Sequence, residues 1–287
     1  MADQKPVQRV ITLACPDQIG IVHSVSGLLA GAGWNIDDSQ QFADTRTNRF
    51  FMRVVTSNAA DSDELGLEDG LGELASRFNM EVTSHSPLET PPVLVLVSKL
   101  GHCLNDLLYR QSIGALSGKI AGVVSNHPDF EALVGAYGIP FHYLPVSDEN
   151  RREQETTICD LADSLGVALV ILARYMQILS PEMVSRLDGR AINIHHSFLP
   201  GFKGGRPYHQ AYERGVKLIG ATAHYVTSEL DEGPIIEQEV VRVDHRANPN
   251  ELTAIGRDVE CVALARAVEA HLSHRVMMNG NRTVVFH

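Results

Sequence analysis

A chain of 287 residues with 44% hydrophobic and 21% charged residues has material for one large or two ordinary globular domains. Its net charge of −11 argues against general nucleic-acid binding; residues 1–90 hold much of the excess, 6 Lys and Arg against 13 Asp and Glu. No apolar run is long enough to span a bilayer, the N-terminus has no signal-like apolar segment, and Cys15, Cys103, Cys159 and Cys261 lack metal-ligand spacing. The expectation is a cytoplasmic protein with reduced thiols and no membrane partner.

Along the chain, Gln8–Cys15 reads as a strand and Pro16–Gly20 as a turn and helix start. Ile21, Val22, Val25, Leu28 and Leu29 then share a helical face that ends at Gly31-Ala-Gly33. Asn35–Phe42 and Arg49–Thr56 are strand-like, Leu67, Leu71, Leu74 and Phe78 form a second helical stripe, and Glu81–Ser84 is a short strand. The order predicts a ferredoxin-like βαββαβ domain over 7–85, with helices on one face of an antiparallel sheet. It resembles the ACT family of small amino-acid-sensing domains, which implies an amino-acid effector at Asp17, Gly20 and Asn35 and a homo-oligomer, dimer or tetramer. A domain of this order that only dimerises and binds nothing fits the same pattern.

Ser86-Pro-Leu-Glu-Thr-Pro-Pro92 reads as a stiff linker over 86–92, because adjacent prolines continue neither helix nor sheet. From Val93 to 287 the pattern becomes α/β. The run Val93–Ser98 is apolar enough for a strand buried on both faces. Further strands are expected at Ile120–Ser125, Phe141–Leu144, Val167–Leu172, Ala191–His195, Leu218–Val226 and Ile235–Val243. Helices are expected at Cys103–Gln111, Asp129–Ala136, Arg152–Leu165, Pro181–Leu187, Tyr208–Arg214 and Glu251–His274. The alternation predicts a Rossmann-like, mostly parallel sheet with helices on both faces. Ser98, Ser125-Asn126, Ala173-Arg174 and His195 fall at strand ends, where open sheets of this kind bind ligands.

No Gly-x-Gly-x-x-Gly or Gly-x-x-x-x-Gly-Lys-Ser/Thr segment follows any strand, which argues against a nucleotide enzyme. His195, His196, His209 and His224 lack the spacing of zinc motifs and carry no Cys partner, so no metal is expected. The candidate chemistry lies instead in Asn193-Ile-His-His-Ser-Phe-Leu-Pro200 and Thr222-Ala-His-Tyr-Val-Thr-Ser-Glu-Leu-Asp-Glu-Gly-Pro-Ile235. Asn193 and His195 are two residues apart and would share one face of a strand. An amide donor, an imidazole and the carboxylate of Asp231 are the parts needed to polarise a carbonyl, hold its oxyanion and move protons. Taken alone, the acidic Gly-Pro segment would read as an ordinary turn.

These two stretches resemble the signature of the tetrahydrofolate-dependent formyltransferase family. His195-His196 and Pro207–Gly215 are most similar to its hydrolytic branch. The resemblance implies hydrolysis of 10-formyltetrahydrofolate to formate and tetrahydrofolate, which supplies formate for purine synthesis and balances the folate pool. The alternative is formyl transfer to a small amine. The implied catalytic residues are Asn193, His195 and Asp231, with no tightly bound cofactor. His196 stands where transferring relatives carry Pro or a small residue, so its ring is a candidate to order water. Ala173–Leu179 resembles the pterin-binding segment and implies folate contacts from Arg174, Met176, Gln177 and Leu179, joined by Val226 and Thr227. That segment usually carries Arg where Gln177 stands. Lys203 and Arg206, with Arg214 and Lys217, read either as a solvated face or as a patch for the glutamate tail.

Overall fold

A computed structural model describes residues 7–58, 64–199 and 207–287. The chain forms two compact units, one reaching Glu89 and including Ser273–His287, the other Thr90–Leu272.

The first unit runs β1 (Val7–Pro16), α1 (Ile21–Gly31), β2 (Trp34–Asp44), β3 (Arg49–Asn58), α2 (Glu64–Phe78) and β4 (Glu81–His85). The strands pair in the order β2-β3-β1-β4, all antiparallel, as the βαββαβ pattern predicts. Strand alternation sends Ile11, Leu13, Phe50, Met52 and Val54 to one face, where Val25 and Leu29 of α1 and Leu67, Leu71 and Phe78 of α2 cover them. Each such side chain, fully buried, contributes roughly 1.5–3 kcal/mol. Gly20 begins α1 with φ 96°, a left-handed turn that glycine adopts without steric cost.

The last fifteen residues differ from the expected boundary, which gave 93–287 to the second domain. The long helix closes the second unit at Leu272, and the residues beyond it belong to the first. Numbered in chain order after the seven strands of the second unit, they form the hairpin β12 (Val276–Asn279) and β13 (Arg282–Val285). Phe286, Met277 and Val284 pack on Ala14 and Phe51, on the sheet face away from α1 and α2. Asn279 and Arg282 both donate to Asp44 Oδ2, at 2.7 and 2.6 Å. The sheet is therefore covered on both faces, not on one.

The second unit carries β5 (Pro92–Val97), α3 (His102–Ser112), β6 (Lys119–Ser125), α4 (Glu131–Ala136), β7 (Phe141–Tyr143), α5 (Arg151–Ser164), β8 (Leu169–Leu172), α6 (Pro181–Arg186), β9 (Ala191–His195), α7 (Pro207–Glu213), β10 (Leu218–Tyr225), β11 (Ile235–Arg242) and α8 (Pro249–Leu272). The seven-stranded order is β11-β10-β9-β8-β5-β6-β7. The strands from β9 to β7 are parallel, while β10 runs antiparallel to both β9 and β11. Val93–Val97 are wholly buried, as a strand with helices on both sides requires. The chain steps outward from β5 to β6 and β7, then returns to lay β8 on the other side of β5. The loops after β5 and β8 thus open at the switch point of the sheet, where ligands of such folds bind.

Candidate active site

The ladder between β9 and β10 places His195 opposite Thr222 and Asn193 opposite His224. Alternation then puts Asn193, His195, Thr222 and His224 on one face. The turn after β10 brings Asp231 back onto this face. Asp231 adopts φ 58°, and Gly233 lies so close to the Tyr225 carbonyl that an added Cβ would overlap it. Glycine is the residue this close approach allows.

Asp231 Oδ1 lies 3.2 Å from His195 Nδ1 and 3.7 Å from His224 Nε2. Contact with His195, the largest influence, holds the Asp231 carboxyl well below the usual carboxylate range, against the opposing effect of burial. His195 is buried, and its Nε2 is 2.9 Å from Ser197 Oγ. His224 Nδ1 is 2.8 Å from the Tyr225 carbonyl, which requires a proton on Nδ1. In the neutral ring Nε2 then accepts from Asn193 Nδ2 at 3.3 Å. One N–H of the Asn193 amide remains for a ligand oxygen.

The His196 ring stacks on His195 with centroids 5.0 Å apart. Burial, with the nearby charges of Arg174 and His195, pushes His196 down to about 4, so it is neutral near pH 7.

A cavity of about 530 Å³ opens over these groups, within the range that holds a cofactor-sized ligand. Arg174, Met176, Gln177, Leu179, Asn193, His195, His196, Val226, Thr227 and Asp231 all line it, so these ten candidates share one cavity, whereas Arg214 and Lys217 are not among its lining residues. Met176, Ile178 and Leu230 are exposed at its wall, an apolar surface of the kind a flat ring covers. The loop carrying this wall is pinned to the sheet, since Met176 N donates to Ser98 Oγ at 3.0 Å and Ser98 Oγ donates to Asn126 Oδ1 at 2.7 Å. Lys203 and Arg206 lie outside the described residues. Asp17, Gly20 and Asn35 lie in the first unit. Asp17 and Asn35 are exposed, and the Asn35 amide donates to Asp37 at 2.9 Å.

The sequence reading missed a buried charged cluster on the same cavity. Glu260 of α8 receives His102 at 2.7 Å and Tyr208 at 2.8 Å, and Arg174 Nε lies 3.5 Å away. Burial pushes the Glu260 carboxyl up, but His102, Arg174 and Tyr208 outweigh it and hold the group below its usual range. Gly256, one turn earlier, leaves room for the Tyr208 ring. The available signal was one glutamate inside the otherwise apolar stripe of α8, Gly256, Val259, Ala263, Leu264 and Ala267. Among the described residues, His102, Cys103 and Glu260 are spaced as metal ligands could be. The Arg174 cation beside Glu260 disfavours a second positive charge there.

Residues 92–268 match the formyl transferase family. A formyltetrahydrofolate deformylase of Corynebacterium sp. (strain P-1) is 50% identical over 280 residues, covering 97% of this chain and 98% of that protein. The chain belongs to the formyltetrahydrofolate deformylase family. The crystal structure of the Burkholderia mallei deformylase superposes with a TM-score of 0.94 at 53% identity, covering 98% of this chain and all of that one. A glycinamide ribonucleotide transformylase from Symbiobacterium toebii matches with a TM-score of 0.65 at 29% identity, over 69% of this chain. Deformylase likeness therefore extends over both units, whereas the transformylase shares the fold over about two thirds of the chain.

Proposed function

We propose that the cavity of the second unit binds 10-formyltetrahydrofolate and that Asn193, His195 and Asp231 hydrolyse it to formate and tetrahydrofolate. The observation that carries this is the geometry of the trio: a buried imidazole held by an ionised carboxylate, beside an amide with one free N–H. Asn193 donates to the formyl oxygen as it becomes an oxyanion. Asp231 orients His195 and stabilises its protonated form while a proton passes from the attacking water toward the leaving nitrogen. Neutral His196 orders that water. Met176, Leu179 and Val226 hold the ring system, with Arg174, Gln177 and Thr227 supplying polar groups. Metal is not required by this sequence of steps, and neither is a tightly bound cofactor.

Hydrolysis is favoured over transfer to an amine because the relatives matched over nearly the whole chain are deformylases. The first unit we read as an ACT-like regulatory domain that assembles the protein into a homo-oligomer and takes an amino-acid effector near Asp17, Gly20 and Asn35. We place the protein in the cytoplasm; among the described residues no helix is long and apolar enough to cross a membrane. Lys203 and Arg206 remain candidates for the glutamate tail. The test is pure protein with 10-formyltetrahydrofolate in buffer without amines. Tetrahydrofolate and formate should form in equal amounts, unaffected by chelator. Turnover that needs an added amine would establish the transferase.

A further inference from the structure

Arg174 lines the folate cavity, but the bond-making and bond-breaking steps give its guanidinium charge no partner of opposite sign. It is 8% exposed, yet its Nε has no hydrogen-bond partner. Its natural counter-ion is already engaged: the two oxygens of Glu260 receive His102 and Tyr208 at 2.7 and 2.8 Å, while Arg174 Nε stands off at 3.5 Å. A buried donor left unmade is costly, and a charged one more so. The backbone of Arg174 adds to the cost, with φ 65° in a region that L-residues rarely enter. Its carbonyl accepts from Ser98 N, which helps hold the loop in that conformation. An arginine kept buried, under-bonded and in left-handed backbone at a cavity wall fits a ligand that completes its bonding.

We propose that Arg174 forms a product subsite for a one-carbon carboxylate, receiving formate through charge-assisted N–H···O bonds. This rests on the hydrolytic reading, which makes formate at that end of the cavity. In that reaction water's oxygen bonds to the formyl carbon, the carbon–nitrogen bond breaks, and the nitrogen takes a proton. The formic acid then loses its proton and becomes an anion. The formyl group offers a guanidinium one neutral oxygen, whereas the product carboxylate offers two oxygens and a full charge to a planar fork. Arg174 lines the same cavity as His195 and His196, whose rings stack, so the subsite opens into the space over the reacting centre. Enclosure of Arg174 favours a small anion over the glutamate tail of a folate. The carboxylate of Glu260 opposes any anion and sets an upper limit on how tightly product is held, which suits release.

The experiment is a titration of the folate-free protein with [13C]formate, read by NMR line broadening, with acetate as size control. Wild type should bind formate in preference to acetate. Arg174→Gly, which removes the guanidinium and relieves the left-handed backbone, should weaken formate at least tenfold, a larger loss than the same variant shows for tetrahydrofolate. Arg174→Lys should lie between, keeping charge but losing the fork. Glu260→Gln should shift formate binding in the opposite direction, tighter, and so gives an answer even where Arg174 variants fold poorly. Equal formate affinity in wild type and Arg174→Gly, or weaker formate binding in Glu260→Gln, overturns the proposal. So does a loss confined to tetrahydrofolate. The titration needs no turnover, so failure of water-only hydrolysis is read separately from failure of the subsite.

Discussion

In the second unit Asn193, His195, His224 and Asp231 hold one another within 3.7 Å at the end of a buried ladder. In the first unit Asp17 and Asn35 are exposed near the start of α1 and the start of β2, and the Asn35 side-chain amide donates to Asp37, two residues along the same strand. Both units place polar residues at strand ends. The difference is what those residues displace. The second unit takes an imidazole and a carboxylate partly out of water and makes them satisfy each other, which fixes their geometry before substrate arrives. The first keeps its candidates hydrated, so a ligand there must supply the order itself.

The largest effects are expected where the pre-arranged groups are removed. His195→Ala and Asn193→Ala should each lower the rate of formate release ~10²–10³-fold, the scale of one lost oxyanion donor. The double variant should lose far less than the product of the two, because both act on one transition state. Stopped-flow tetrahydrofolate formation measures this, and simple multiplication of the two losses would show independent roles.

A stability counterpart exists in the first unit. Phe286→Ala should cost about 3 kcal/mol in a denaturant titration, the usual range for a buried aromatic, since Phe286 closes the sheet face over Phe51. A change under about 0.5 kcal/mol would mean the C-terminal hairpin is dispensable to that unit.

His196→Pro should reduce water-only turnover about tenfold, or about 1.4 kcal/mol in the barrier, with folate affinity unchanged. Equal hydrolysis in the variant would make His196 a bystander and leave the wall of Met176, Leu179 and Val226 to explain selectivity.

Acid sharpens the same comparison. Burial pushes His196 and His271 down to about 4, from an ordinary 6.5. Between those values the unfolded chain binds more protons than the folded one, so stability falls as pH drops from 6.5 to 4 and then levels for these groups. Each such proton adds a slope of about 1.4 kcal/mol per pH unit. His271→Gln, which removes the ring beside the Tyr225 hydroxyl, should flatten the slope measured by thermal unfolding. An unchanged slope would show that other groups set the acid limit. The smallest expected effect is in the first unit: glycine or methionine at millimolar levels should raise its melting temperature or alter turnover, and Asn35→Ala should abolish the response. No response to any amino acid would leave the unit with assembly alone.

Much of this was legible in the sequence because periodicity is local. The βαββαβ order, the buried run Val93–Val97 and the shared face of Asn193 and His195 each follow from neighbours a few residues apart. What was missed depends on distance along the chain. Glu260 meets His102 across 158 residues, and no local pattern announces the partner. The left-handed backbone of Arg174 is set by bonds to Ser98, far away in sequence. The C-terminal hairpin did leave a local trace, since Gly280-Asn281, the two residues between the paired Asn279 and Arg282, is a two-residue-hairpin signal with glycine in the first loop position at φ 64°. The adjacent Phe50, Phe51 and Met52 also announced a strand buried on both faces, which the one-face reading of that sheet passed over.

The central claim is that an ionised Asp231 holding His195 drives hydrolysis. Its most direct test is single-turnover formate release by Asp231→Asn, measured with the melting temperature and folate affinity of the same preparation. The account predicts a folded protein that binds folate normally and releases formate at least a hundredfold more slowly. A variant that hydrolyses 10-formyltetrahydrofolate at the wild-type rate would contradict it.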